Sequence, residues 1–249
     1  MGRAGTRRLE YRTIFNVRDL AGIETPAGTI KPRRFLRSGD TMFLSRKDLH
    51  SLLSLGVTRV LDLRMPLERP RETSPFAHLN KVVWKSAPLP DELTLTREEA
   101  ATGKVVDFLV RQYEYMLSQH KDMREVLHFL AASRPDECVL IHCAMGQDRT
   151  GIVCMLIEGL CGAPADTLVS DYAYSFDFDE VVDHLVATFD PTAPAPVFDG
   201  TEARIKAMFD LLGRIDATYG TIENMVRSWG VTSADIAAIV EHATLDARF

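Results

Sequence analysis

The sequence predicts an α/β fold, a mostly parallel central sheet flanked by helices with extra helices at the C-terminal end, in a single domain over residues 1–249. Three observations carry this. Short apolar strands alternate with amphipathic stretches through the first two thirds; the last third shows helical spacing without strands; and a strand, a glycine-punctuated loop and a helix follow one another at 138–160. In chain order, residues 45–55 have helical spacing with Ser45 placed to cap the N terminus, and 56–64 read as a short buried strand. Residues 81–87 read as another strand, bounded by Pro88 and Pro90. Long amphipathic stretches at 96–119 and 122–133 predict two helices, the second closing at Arg134-Pro135. Residues 138–141 are wholly apolar, as a strand covered on both faces should be. The helical spacing of 150–160 stops at Gly162 and Pro164. Further helices are expected at 165–174, 179–188 and 202–219, then a pair divided at Gly230-Val231-Thr232. Residues 190–200 carry Pro191, Pro194 and Pro196 with little periodicity and read as a loop or flap.

Composition narrows the function. The chain is 46% hydrophobic and 26% charged, and 29 basic against 35 acidic residues leave a net charge of −6. Nucleic-acid binding through bulk charge is excluded, because affinity for a phosphate backbone requires a basic face. Any anionic ligand must be held locally. The basic N-terminal segment lacks the apolar stretch of a signal peptide, so a cytoplasmic protein is expected, with secretion by another route left open. The longest apolar run, 151–163, is interrupted by Glu158 and falls short of the ~20 residues that cross a bilayer, so no membrane span is expected. The four cysteines form no Cys-x-x-Cys and no zinc-like spacing, which favours reduced thiols, no metal and no cofactor.

Cys138, Cys154 and Cys161 fall on apolar strand or helix faces. Cys143 does not: it opens the polar loop Ala144-Met145-Gly146-Gln147-Asp148-Arg149-Thr150-Gly151. A loop from the end of a buried strand to the start of a helix gathers backbone N–H groups around one point and adds the positive end of the helix dipole. Such a point attracts an anion and favours thiolate over thiol. Arg149, six residues on, carries a planar fork that can hold two phosphate oxygens, and Gly146 lets the backbone turn. The gain in thiolate is offset by its lower nucleophilicity, so the rate must come mainly from Arg149 and the loop amides acting on the transferring group.

His142-Cys143-Ala144-Met145-Gly146-Gln147-Asp148-Arg149-Thr150-Gly151 resembles the Cys-x5-Arg signature of the protein tyrosine phosphatases, and specifically the atypical bacterial branch whose loop reads His-Cys-x-x-Gly-Lys-Asp-Arg-Thr-Gly. Asn16-Val17-Arg18-Asp19-Leu20-Ala21-Gly22, Phe35-Leu36-Arg37-Ser38-Gly39 and Val60-Leu61-Asp62-Leu63-Arg64 are similar to the same branch in matching order, as is a tail around 222–238. The resemblance implies a cysteine-phosphatase type of fold and metal-independent hydrolysis of phosphomonoesters through a phosphocysteine. Phosphotyrosine, with phosphoserine or phosphothreonine beside it, on a protein or peptide is the implied substrate. Gln147 stands where the branch usually has lysine, which removes a cation and lowers the expectation of phosphoinositide activity; Ala21 replaces a usual glycine.

On this reading Cys143 is the nucleophile and Arg149 the phosphate clamp. Ala144, Met145, Gly146 and Gln147 contribute the cup, Thr150 offers its hydroxyl to the sulfur, and His142 hydrogen-bonds the loop backbone. Arg18 and Arg64, with Arg37, form either a basic pocket wall or ion pairs with Asp19, Asp40 or Glu68. The general acid stays open among Asp62, at the end of a buried strand, Asp148, in the loop itself, and Asp91 after Pro88-Leu89-Pro90. Asp148 must be either protonated or turned outward, since a carboxylate inside the pocket repels a dianion. A phosphoinositide phosphatase, a noncatalytic phosphopeptide-binding module and a sulfurtransferase are the competing readings. Oligomeric state is not encoded in any feature of the sequence.

Overall fold

Residues 138–141 offer water no polar face, and with His142 they form the strand flanked on both sides at the centre of the sheet. The computed structural model describes residues 7–69, 74–90, 96, 102, 104–176 and 200–244. Its sheet contains β1 (Arg7–Arg8), β2 (Arg18–Asp19), β3 (Phe35–Ser38), β4 (Val57–Asp62), β5 (Val83–Ser86) and β6 (Cys138–His142), in the spatial order β1-β2-β3-β6-β4-β5. β3, β6, β4 and β5 run parallel, while β1 and β2 form an antiparallel edge. The mostly parallel sheet expected from the sequence is the one observed.

Alternation along β6 feeds two cores. Val139 and Ile141 join a large cluster with Leu61, Leu63 and Ile152, whereas Cys138 and Leu140 pack with Leu36, Val60 and Leu52 of α1 (Arg46–Ser54). Ser45 caps α1 by accepting from the Asp48 N–H at 3.1 Å, as its position before the helical run predicts. The large cluster is completed by α2 (Val105–Ser118), α3 (His120–Ala131), α4 (Asp148–Leu160), α5 (Ala165–Ala173), α6 (Thr201–Tyr219), α7 (Ile222–Ser228) and α8 (Ser233–Thr244). Helix α4 is buried on nearly every side, hence its near-continuous apolar run. No helix among the described residues is long and apolar enough to cross a membrane.

Some boundaries move. Within the expected helix at 96–119 the described residues are helical over Val105–Ser118, and the expected strand at 81–87 contracts to Val83–Ser86. The helix expected at 179–188, residues 190–199 of the loop expected at 190–200, and Asp91 lie outside the described residues. For the site, register matters most: Ser38 and Asp62 both pair with His142, so β3, β4 and β6 end at one level, at the edge where parallel strands present their loops.

Candidate active site

The loop between β6 and α4 is folded around Cys143, which is 2% exposed. Gly146 has φ +68°, and a Cβ there would sit 2.4 Å from the Ser38 carbonyl oxygen, so both conformation and space demand glycine. Three consecutive carbonyls of the loop are drawn outward. Ala144 O accepts from the Asp40 N–H at 2.8 Å, Met145 O from Asn16 Nδ2 at 3.1 Å, and Gly146 O from Asn16 Nδ2 at 2.9 Å and Arg37 Nη2 at 3.0 Å. Every peptide among the described residues is trans, and in a trans peptide the N–H points opposite to the C=O. The N–H groups of Met145, Gly146 and Gln147 therefore face away from those partners, and that of Gly146 reaches Cys143 Sγ at 3.2 Å. The result is an amide cup around a sulfur.

Arg149 opens α4 beside the cup. Glu68, in a 3₁₀ turn at Pro66–Glu68 after β4, accepts from Arg149 Nη1 and, at 2.6 Å, from Nη2. Burial works to raise the Glu68 pKa, but the Arg149 guanidinium and the Met65 N–H outweigh it and hold the carboxyl ionised. This end-on pairing sets the plane of the fork, whose Nε side has the shape for two phosphate oxygens.

The Asp148 carboxylate sits in a cluster of its own. Tyr113 and Tyr172 each place a hydroxyl 2.8 Å from its Oδ1, their hydroxyls are 2.5 Å apart, and Arg204 of α6 reaches both carboxylate oxygens at 2.6 Å. Burial raises its pKa, and Arg204 with the two phenols overcomes that and lowers it. With Asp148 ionised, two phenolic protons serve three oxygen–oxygen contacts; one more proton has a place in the ring.

Asp62 is differently held. It has no exposure, its Oδ1 accepts from the Arg64 N–H and Nε at 3.0 Å, and its Oδ2 accepts from Arg64 Nη2 at 2.7 Å. Burial pushes its pKa up, but His142 and Arg64 pull it below the usual carboxylate value. Burial lowers the His142 pKa although Asp62 works to raise it, and the ring lies against the Cys143 carbonyl at 3.4 Å, to which Nδ1–H can donate.

Several expectations need correction. Arg18 and Arg64 do not line the pocket: both have zero exposure, as has Arg37. Their charges are answered inside, Arg18 and Arg37 by Asp171 at 3.2 and 2.5 Å, and Arg64 by Asp40 and Asp62 at 2.6 and 2.7 Å. A buried guanidinium needs such partners more than it needs a transient ligand. The Thr150 hydroxyl, expected on the Cys143 sulfur, is buried without a hydrogen-bond partner among the described residues. The Gln147 side chain donates to the Ser175 carbonyl at 3.4 Å.

Asp171, Tyr113, Arg204 and the role of Glu68 escaped the sequence reading. They lie on elements far from the loop in sequence, and no local pattern marks them. Among the described residues no group of three or more His, Cys, Asp or Glu side chains is placed to hold a metal ion.

Residues 9–244 match the tyrosine phosphatase family. The chain belongs to that family. The matches to relatives span most of each relative's length. A protein of Cupriavidus necator named "Putative tyrosine-protein phosphatase" is 26% identical over 96% of this chain and 89% of its own. A tyrosine-protein phosphatase of Nostoc commune is 28% identical over 84% of this chain and 74% of its own. The triple specificity protein phosphatase PtpB of Mycobacterium tuberculosis is 27% identical over 91% of this chain and 95% of its own. The chain is thus a phosphatase of the bacterial branch that its cysteine loop resembles.

Proposed function

We propose that this phosphatase hydrolyses phosphotyrosine in proteins or peptides, with phosphoserine and phosphothreonine as secondary substrates, through Cys143. The observation that carries the reading is the Gly146 N–H on the Cys143 sulfur in a loop whose neighbouring carbonyls all point outward. In the first step the thiolate attacks phosphorus, an S–P bond forms and the bond to the phenolic oxygen breaks. The departing oxygen takes a proton from a carboxylic acid. In the second, water attacks phosphorus and gives its proton to that carboxylate, the S–P bond breaks, and phosphate leaves with the thiolate restored. Arg149 and the amides of 145–147 hold the phosphoryl oxygens throughout; one such donor is typically worth ~10²–10³ in kcat.

Asp148 is our choice for the acid. Its carboxylate is partly exposed, 23%, while that of Asp62 is fully enclosed and gripped by Arg64 at both oxygens. The phenol pair supplies a place for the proton once Arg204 releases its hold. Asp62 then orders Arg64 and the end of β4. Ala144, Met145, Gly146 and Gln147 contact the phosphoryl group through their backbone. A cytoplasmic location, a single domain over 1–249 and chemistry independent of metal belong to the same proposal.

The test is Cys143→Ser. It should abolish p-nitrophenyl phosphate turnover while retaining vanadate binding, and chelators should leave the wild-type rate intact. Full turnover by Cys143→Ser would end this reading. A phosphoinositide phosphatase is the competing reading, and Gln147, where the resembled branch usually has lysine, disfavours it.

A further inference from the structure

Asn16 precedes β2, 2% exposed, with φ +52° in the left-handed region that non-glycine residues seldom adopt. Such a conformation persists only where surrounding contacts require it. Its side chain is committed on both sides. Nδ2 donates to Met145 O and Gly146 O at 3.1 and 2.9 Å, and Oδ1 accepts from Arg18 Nη1 at 2.5 Å. Arg37 reaches the same Gly146 carbonyl with Nη2 at 3.0 Å, and its Nη1 is fixed by Asp171 at 2.5 Å. Ser175 Oγ accepts from Arg18 at 2.8 Å and from Arg37 at 3.0 Å. Two buried arginines, one buried aspartate and one asparagine therefore converge on two successive peptide units of the cysteine loop.

A stability role alone accounts poorly for this. Buried ion networks contribute little net stability compared with apolar packing of the same volume. What distinguishes this one is where its donors end. We propose that Asn16 and Arg37 are positioning residues of the phosphate cup: by holding the Met145 and Gly146 carbonyls outward, they aim the Gly146 N–H at the Cys143 sulfur and the Gln147 N–H at a transferring phosphoryl oxygen. The inference rests on Cys143 as nucleophile. Arg18 and Asp171 act one step further out, Arg18 by fixing the amide flip of Asn16 and Asp171 by fixing the angle of Arg37.

The test uses Asn16→Gly and Asn16→Asp in the full chain. Both residues tolerate the left-handed backbone, and Asn16→Asp keeps the oxygen that faces Arg18 while placing an oxygen where Nδ2 donates. Vanadate titration by calorimetry separates the number of folded sites from their affinity, and steady-state kinetics separate kcat from KM. The expected result is near-unit stoichiometry, with vanadate affinity and kcat lowered together by roughly ten- to a hundredfold, less than deleting a donor outright because the amides are misaimed rather than lost. Asn16→Asp should be the worse, and KM should move less than kcat. Arg37→Lys, which keeps the charge beside Asp171 but loses the fork that spans Asp171 and Gly146, should follow in the same direction. Variants with fewer folded sites but wild-type affinity and kcat per site would overturn the inference. Wild-type protein that binds no vanadate would instead overturn the underlying reading.

Discussion

Glu68 holds Arg149 by both terminal nitrogens, from a turn 81 residues earlier in the chain. The guanidinium is thus oriented before any phosphate arrives, and the clamp is no freely rotating side chain. Replacing Glu68 by Gln removes one charge and half of the grip. Removing an anion beside the pocket favours dianion binding, while loosening Arg149 costs alignment. We expect kcat to fall roughly tenfold, as misplaced catalytic groups do, with KM little changed. Steady-state kinetics on p-nitrophenyl phosphate measure both.

The two carboxylates separate by leaving group. Asp148→Asn should depress turnover of phenyl phosphate far more than that of p-nitrophenyl phosphate, whose leaving group needs no proton. Asp62→Asn should show no such contrast and should instead lose about 3 kcal/mol of stability, because it leaves the buried Arg64 with half its partners. A leaving-group contrast in Asp62→Asn alone would reverse the assignment.

Arg204 governs the protonation of Asp148. Since Arg204 and the phenols lower that pKa against burial, Arg204→Gln should raise it and move the basic limb of the kcat/KM profile to higher pH. The stability consequence has a fixed sign. A carboxyl with a depressed folded-state pKa stabilises above its unfolded pKa and loses that contribution as pH falls. Arg204→Gln should therefore be less stable near neutrality, with the difference shrinking in acid; denaturant titrations at several pH values report it.

His242 is a second pH-dependent element, far from the loop in the chain. Burial lowers its pKa to about 4, and its ring packs edge-on against Phe35 at 4.9 Å. The unfolded chain binds a proton on this residue near 6.5 and the folded chain does not, so stability falls as pH drops from 6.5 towards 4. The drop amounts to roughly 3 kcal/mol. His242→Gln should flatten that part of the curve, and an unchanged slope would remove His242 from the account.

Gln147 addresses substrate class. Gln147→Lys restores a cation beside the cup, and its effect is expected on polyphosphorylated inositol lipids more than on phosphotyrosine peptides. Parallel assays on vesicles and peptides decide it. A uniform change in both would mean that the side chain does not reach the substrate's second charge.

Much of this protein can be read along the chain because the information is local. The apolar run at 138–141, the glycine at 146 and the cysteine and arginine six apart specify a buried strand, a tight turn and an anion cup within a dozen residues. Ser45 marks a helix start, and Gly162 and Pro164 mark an end, for equally local reasons. The buried arginines are the opposite case. Arg18, Arg37 and Arg64 look alike as charges in a sequence, and a pocket wall or an ion pair suits each equally. Only folding brings Asp171, 153 residues from Arg18, to answer two of them and leaves none at the surface. The same holds for Asp148, whose partners Tyr113, Tyr172 and Arg204 come from three helices. A backbone turn is set by its own few residues, whereas the state of a charge is set by every group within several ångströms, and that neighbourhood exists only once the chain has packed.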